Sequence, residues 1–158
     1  MDHVVGISEF AVSSDPGDRL ITYSLGSCVG LVLHDPKAGL TGLLHAMLPL
    51  SSADPARAAS SPASYVDTGT TILLQELFDH GARRGSIVAK IAGAAGSMGE
   101  DDYFRIGERN HTVLRRVLWK NGILIASEDV GGARSRTLTV DVGSGRVLVK
   151  SDGKVSEL

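Results

Sequence analysis

Cysteine is nearly missing from this chain: Cys28 stands alone among 158 residues. One thiol excludes an internal disulfide, which agrees with a reducing, cytoplasmic setting. A strong charge of either sign is missing too. Lys and Arg number 16 against 18 Asp and Glu, and the sequence pI is near 6.2. That balance gives no electrostatic case for nucleic acid or an anionic membrane surface as partner. No apolar run approaches the length of a membrane span. Met1-Asp2-His3-Val4-Val5 lacks the basic start and apolar stretch of a signal peptide. The five histidines, His3, His34, His45, His80 and His111, show no ligand spacing with one another or with Cys28. The chemistry considered below needs neither a metal nor an organic cofactor.

What the chain does hold is ordinary for a soluble globular protein: 42% hydrophobic and 22% charged residues. Its length fits one domain, residues 1–158, able to bury roughly 68–70% of its unfolded surface. Nineteen glycines point to many tight turns in a sheet-rich fold. Apolar patterning predicts a first strand over 4–12, an approach strand over 20–24, and a hairpin of 29–34 and 40–48 that Pro49 stops. Residues 49–64, rich in Ser, Ala and Pro, read as a surface loop. Helices are predicted over 67–80 and 108–120, ended by Gly81 and by Asn121-Gly122. Further strands are predicted over 86–91, 123–126, 137–142 and 146–150. The result is an α+β layered sandwich: a mixed, largely antiparallel sheet with two main helices.

The hairpin carries the chemistry. Cys28 lies in Leu25-Gly26-Ser27-Cys28-Val29-Gly30-Leu31, and the return strand carries His45. With 35–38 as a four-residue loop, His34 pairs with Gly39, and the same register sets Cys28 directly opposite His45. A thiolate is a nucleophile, and a neighbouring imidazole can lower the thiol pKa and then act as general acid. Gly26-Ser27 before the thiol leaves backbone N–H groups to point at an oxyanion. Thr22, on the approach strand, could orient the imidazole through its hydroxyl. Against this stands a plainer reading, in which Cys28 is a small buried hydrophobe, His45 a core histidine and Thr22 an ordinary strand threonine.

Two motifs point elsewhere only on the surface. Ala92-Gly93-Ala94-Ala95-Gly96-Ser97-Met98-Gly99 follows a strand but lacks the spacing and the lysine of a phosphate loop, and Glu100-Asp101-Asp102 would repel phosphate. Gly107-Glu108-Arg109-Asn110 reads as a helix start with an ion-pair cluster.

Together the pieces resemble the CheD family of bacterial chemoreceptor glutamine deamidases. Carrying the resemblance are Thr22-Tyr23-Ser24-Leu25-Gly26-Ser27-Cys28, His45-Ala46-Met47-Leu48-Pro49 and Tyr65-Val66-Asp67. Lys90-Ile91, Gly107-Glu108-Arg109-Asn110 and Asp129-Val130-Gly131-Gly132 follow in the family's order. The resemblance implies a fold akin to the deamidating domain of cytotoxic necrotizing factor toxins. It also implies Cys28 as nucleophile, His45 as base and Thr22 as third catalytic position, with glutamine side chains on methyl-accepting chemotaxis receptors as substrates. A CheC-type phosphatase is the partner it suggests. One departure is the stretch 92–98, where the family has an aromatic and paired glycines; its altered contacts are expected to concern receptor or partner. The alternatives are a non-catalytic module that docks to a receptor or CheC-type phosphatase, and, more weakly, a general cysteine peptidase.

Overall fold

The computed structural model describes residues 1–96 and 105–158. Among them the chain builds two five-stranded sheets. In sequence order the strands are β1 Asp2–Val4, β2 Glu9–Ser13, β3 Arg19–Leu25, β4 Val29–Asp35 and β5 Leu40–Ala46, followed by β6 Val88–Gly93, β7 Leu124–Val130, β8 Arg136–Asp141, β9 Val147–Ser151 and β10 Lys154–Glu157. The first sheet runs β1-β3-β8-β9-β10 and the second β2-β5-β4-β6-β7. Each is antiparallel except for one parallel pair, β1 with β3 and β6 with β7. Helices α1 Pro55–Ser60, α2 Val66–Asp79 and α3 Ile106–Lys120 complete the fold.

The second sheet is the middle layer. Its α2- and α3-facing side joins Leu31, Leu33 and Leu44 to Leu73, Leu77, Leu114 and Leu118 in one apolar cluster. Its other side joins Val32, Leu43 and Ala92 to Leu20, Leu138, Val140 and Val149 of the first sheet. A strand covered on both faces needs no polar alternation. All seven residues of β5 are buried for that reason. The α+β class and the mixed, largely antiparallel pairing stand, but there are two sheets where the sequence suggested one. None of the described helices is long and apolar enough to cross a membrane.

Several local expectations change with this layering. The single strand predicted over 4–12 is two strands in different sheets, because the chain turns at Gly6-Ile7-Ser8, with Ser8 at φ 63 and Gly6 N–H donating to Glu9 Oε1. The loop over 49–64 is instead α1 flanked by 3-10 turns Ser51–Ala53 and Pro62–Ser64. Asp54 caps α1 by accepting from Arg57 N–H, with Pro55 following it. Strand β10 was not foreseen, and β7 runs on to Val130. Of the stretch 92–99, Ala92 and Gly93 end β6, while 97–99 and the acidic residues 100–102 lie outside the described residues.

The hairpin register is corrected by two residues. His34 faces Thr41 and Gly30 faces His45, so Cys28 is not directly opposite the imidazole. The cause is Asp35. Its Oδ1 accepts from Lys37 and Ala38 N–H, its Oδ2 accepts from Arg83 N–H, and its carbonyl accepts from Gly39 N–H. Asp35 therefore closes the loop as the last strand residue, and Gly39, at φ 67, belongs inside it. A two-residue shift keeps every side chain on its face. Cys28, just before the ladder, packs against the cluster between the sheets, the side on which His45 meets Thr22 of the first sheet.

Candidate functional site

The site forms where β4 and β5 part. Their last paired residues are Val29 and Ala46. Beyond that point the Cys28 carbonyl turns to Ala94 N–H at 2.8 Å, while Met47 and Leu48 N–H both turn to the Ser64 carbonyl. Cys28 ends the turn Gly26-Ser27-Cys28, which β3 enters through a bulge between Thr22 and Leu25, with Ser24 at φ 58. The bulge leaves Thr22 fully buried and Tyr23 exposed.

His45 is also fully buried. Its Nδ1 lies 2.7 Å from Thr22 Oγ1, and the Thr22 hydroxyl donates to the Val5 carbonyl at 2.6 Å. A hydroxyl has one hydrogen to give. Since Val5 takes it, Thr22 accepts from His45 Nδ1–H, and the imidazole lone pair is fixed on Nε2. Nε2 is buried and has no hydrogen-bond partner among the described residues. The structure thus brings Thr22 and His45 into direct contact, whereas no hydrogen bond joins the imidazole to the Cys28 sulfur.

Burial acts on both candidate groups. It pushes His45 below the ordinary imidazole value and pushes the half-buried Cys28 thiol up, against a smaller opposing pull from its own backbone N–H. The anticipated lowering of the thiol by the imidazole is therefore absent in this resting arrangement. Burial thus favours the uncharged form of each group.

The turn itself is gripped through its carbonyls. Gly26 O accepts from Ala95 N–H at 2.8 Å, and Ser27 O accepts from Asn110 Nδ2 at 2.9 Å. The N–H groups of Gly26 and Ser27 meet no protein acceptor among the described residues, so they remain able to meet an oxyanion. Gly93 is required beside them, because a Cβ there would come within 2.4 Å of the Cys28 carbonyl oxygen. Arg136, buried, donates to the Gly93 and Gly131 carbonyls and to Asp129 Oδ1, bracing that contact from behind. Ala94 and Ala95 of the altered stretch thus hold the thiol-bearing turn through their backbone N–H groups.

Asn110 was missed. In Gly107-Glu108-Arg109-Asn110 the ion-pair reading holds, among the described residues, for Glu108, which lies 3.7 Å from Arg105. Gly107 packs against the Ala95 carbonyl, where a Cβ would come within 2.3 Å, and Asn110 is fully buried. A signal was available: Asn110 shares the helical stripe of Val113, Leu114 and Val117, where a polar side chain needs a reason.

Fold and site together define an α+β two-sheet protein that offers a lone thiol and an oriented neutral imidazole at one end of its central sheet. The family model for CheD chemotactic sensory transduction matches residues 47–151. A relative from Solibacter usitatus, named probable chemoreceptor glutamine deamidase CheD, is 45% identical over 98% of this chain and 92% of its own length. A second of that name, CheD 1 of Syntrophus aciditrophicus, is 42% identical over 96% of this chain and 95% of its own. The chain belongs to the CheD family. Among solved structures, the Bacillus licheniformis hypothetical protein YfiH is similar in fold, with a TM-score of 0.50 at 17% identity, over 77% of this chain and 49% of that one. The chain thus spans about half the length of that neighbour. Cys28, His45 and Thr22 precede the segment matched by the family model but lie within the span shared with the full-length relatives.

Proposed function

We propose that this chain is a chemoreceptor glutamine deamidase in which Cys28 is the nucleophile, His45 the base and Thr22 the residue that orients it. The observation that carries this reading is the Val5–Thr22–His45 relay, which leaves an unpartnered lone pair on a buried imidazole nitrogen. In the reaction Nε2 takes the thiol proton as sulfur attacks the glutamine carboxamide carbon. Backbone N–H groups at Gly26 and Ser27 receive the oxyanion. The C–N bond then breaks, the imidazolium proton leaves with ammonia, and a thioester remains. Water attacks that thioester with Nε2 as base, releasing glutamate and the free thiol. One water enters and one ammonia leaves.

Residues 1–158 act as one domain in this reading, supported by a central sheet whose two faces serve both apolar clusters. A fold shared with the deamidating domain of cytotoxic necrotizing factor toxins, a cytoplasmic setting and a CheC-type partner belong to the same proposal. They rest on the sequence resemblance and, for the setting, on the single unpaired thiol. A docking module is the second reading, and the raised thiol is the observation in its favour.

The test is mass spectrometry of chemoreceptor fragments after incubation with wild-type, Cys28→Ala and His45→Ala protein. Wild type should add about 1 Da per converted glutamine, and both variants should leave the sites as amides. Equal conversion by Cys28→Ala, or none by wild type, overturns the catalytic reading.

A further inference from the structure

We infer that Asn110 is a positioning residue that sets the separation between the thiol-bearing turn and the base-bearing strand. Its side chain is wholly buried. Nδ2 donates one hydrogen to the Ser27 carbonyl at 2.9 Å and the other to the Met47 carbonyl at 3.0 Å. Ser27 immediately precedes the nucleophile, and Met47 lies two residues beyond His45. One neutral amide therefore reaches both halves of the site at once.

The tie occupies the place where the sheet stops holding itself. The β4–β5 ladder ends at Val29 and Ala46, after which the two backbones bond to different neighbours, Ala94 on one side and Ser64 on the other. Two carbonyl oxygens, of Ser27 and Met47, then converge on one buried point. Oxygen lone pairs repel, so a donor with two hydrogens in a fixed fork is what can hold them there. Aspartate has none to give, and alanine would leave both carbonyls without a partner. Asn110 Oδ1 is itself buried and, like His45 Nε2, has no hydrogen-bond partner among the described residues. Two such atoms around one site mark a place kept for function at a cost to stability. Reactivity of the thiol toward a carbon that Nε2 must serve depends on this spacing. A displacement of about 1 Å in such an arrangement costs on the order of 10²-fold in rate.

The inference rests on the proposed reaction, so its test includes readouts that do not need turnover. In wild-type protein, NMR should show both Asn110 side-chain amide hydrogens exchanging far more slowly than those of an exposed asparagine. Exchange at the exposed rate would overturn the tie outright, whether or not any variant folds. Asn110→Asp and Asn110→Ala should then change the pH profile of Cys28 alkylation by iodoacetamide and lower kcat by about 10²-fold with KM within about twofold. Asn110→Gln, which keeps the two-hydrogen amide, should recover part of kcat. A merely structural role predicts the opposite: losses that follow the folded fraction, with the alkylation profile of the folded protein unmoved. That result would refute the inference. Loss of turnover in wild type with the alkylation shift intact would instead refute the deamidase reading and leave the tie standing.

Discussion

Thr22 illustrates how much one hydroxyl can decide. Its side chain adds little packing that valine could not supply, yet its single hydrogen, given to Val5, dictates which imidazole nitrogen keeps a lone pair. Thr22→Val would leave a buried Nδ1–H without an acceptor, at about 1–3 kcal/mol, or shift the proton to Nε2 and abolish the base. We expect kcat to fall by about 10²-fold or more while KM changes little, with Thr22→Ser restoring most of the rate. Steady-state kinetics on a receptor fragment decides it, and a Thr22→Val enzyme with normal kcat would remove Thr22 from the mechanism. Residue chemistry made the candidate trio readable in the sequence, because a lone thiol, a histidine on the return strand and a strand hydroxyl are conspicuous by type. Asn110 was not readable in the same way. Its role depends on two carbonyls contributed by residues 83 and 63 positions away along the chain, and main-chain oxygens carry no sequence signature.

At the level of elements, the hairpin was legible in outline and misread in register. Apolar runs located β4 and β5, but the loop end was decided by Asp35, whose carboxylate collects three backbone N–H groups, one of them from Arg83. That last partner is remote in sequence, so local turn rules could not choose between closing at His34 and closing at Asp35. A shift of two preserves facing along the paired strands, so His45 keeps its side of the sheet. The glycine that ends β6 offers a sharper element-level test. Gly93, at φ 106, faces the Cys28 carbonyl oxygen, whereas Gly81, at φ 103 beyond α2, has open space where a Cβ would go. Alanine at either position bears the same backbone penalty, of order 1–3 kcal/mol. Only Gly93→Ala also pushes the thiol-bearing turn. Both variants should therefore lose similar stability in urea unfolding on account of φ, with an added loss at Gly93, but deamidation should drop about tenfold or more in Gly93→Ala alone. Matched activity losses in the two would mean that the turn does not depend on this contact.

For the molecule as a whole, the two-sheet layering was the least legible feature, because strands of either sheet look alike until their partners are known. β1 and β2 are separated by a four-residue corner yet pair with β3 and β5 in different layers. What the layering creates is a protein interior with titrating groups inside it, and that has a measurable consequence. His45 and His34 are both pushed below the ordinary value of 6.5, mainly by burial. As pH falls through 6.5 the unfolded chain binds protons that the folded chain refuses, so stability falls with pH there. Cys28 is pushed above 9.0 by burial. Above that pH the unfolded thiol releases its proton first, so stability falls again as pH rises. Asp35 and Asp141 are held below 3.8, the former by backbone N–H groups working against burial and the latter mainly by Ser144. Their contribution is present above 3.8 and disappears only as pH drops through their folded values. Urea unfolding across pH should therefore give a plateau between about 6.5 and 9, a shoulder of acid loss below 6.5 and a separate, steeper loss below about 4. Replacing both histidines with glutamine should flatten the shoulder without moving the steeper loss, and Cys28→Ser should remove the alkaline decline. A shoulder that survives in the double histidine variant would show that neither imidazole is kept neutral by the layers around it, and a base held ready at His45 would lose its electrostatic footing.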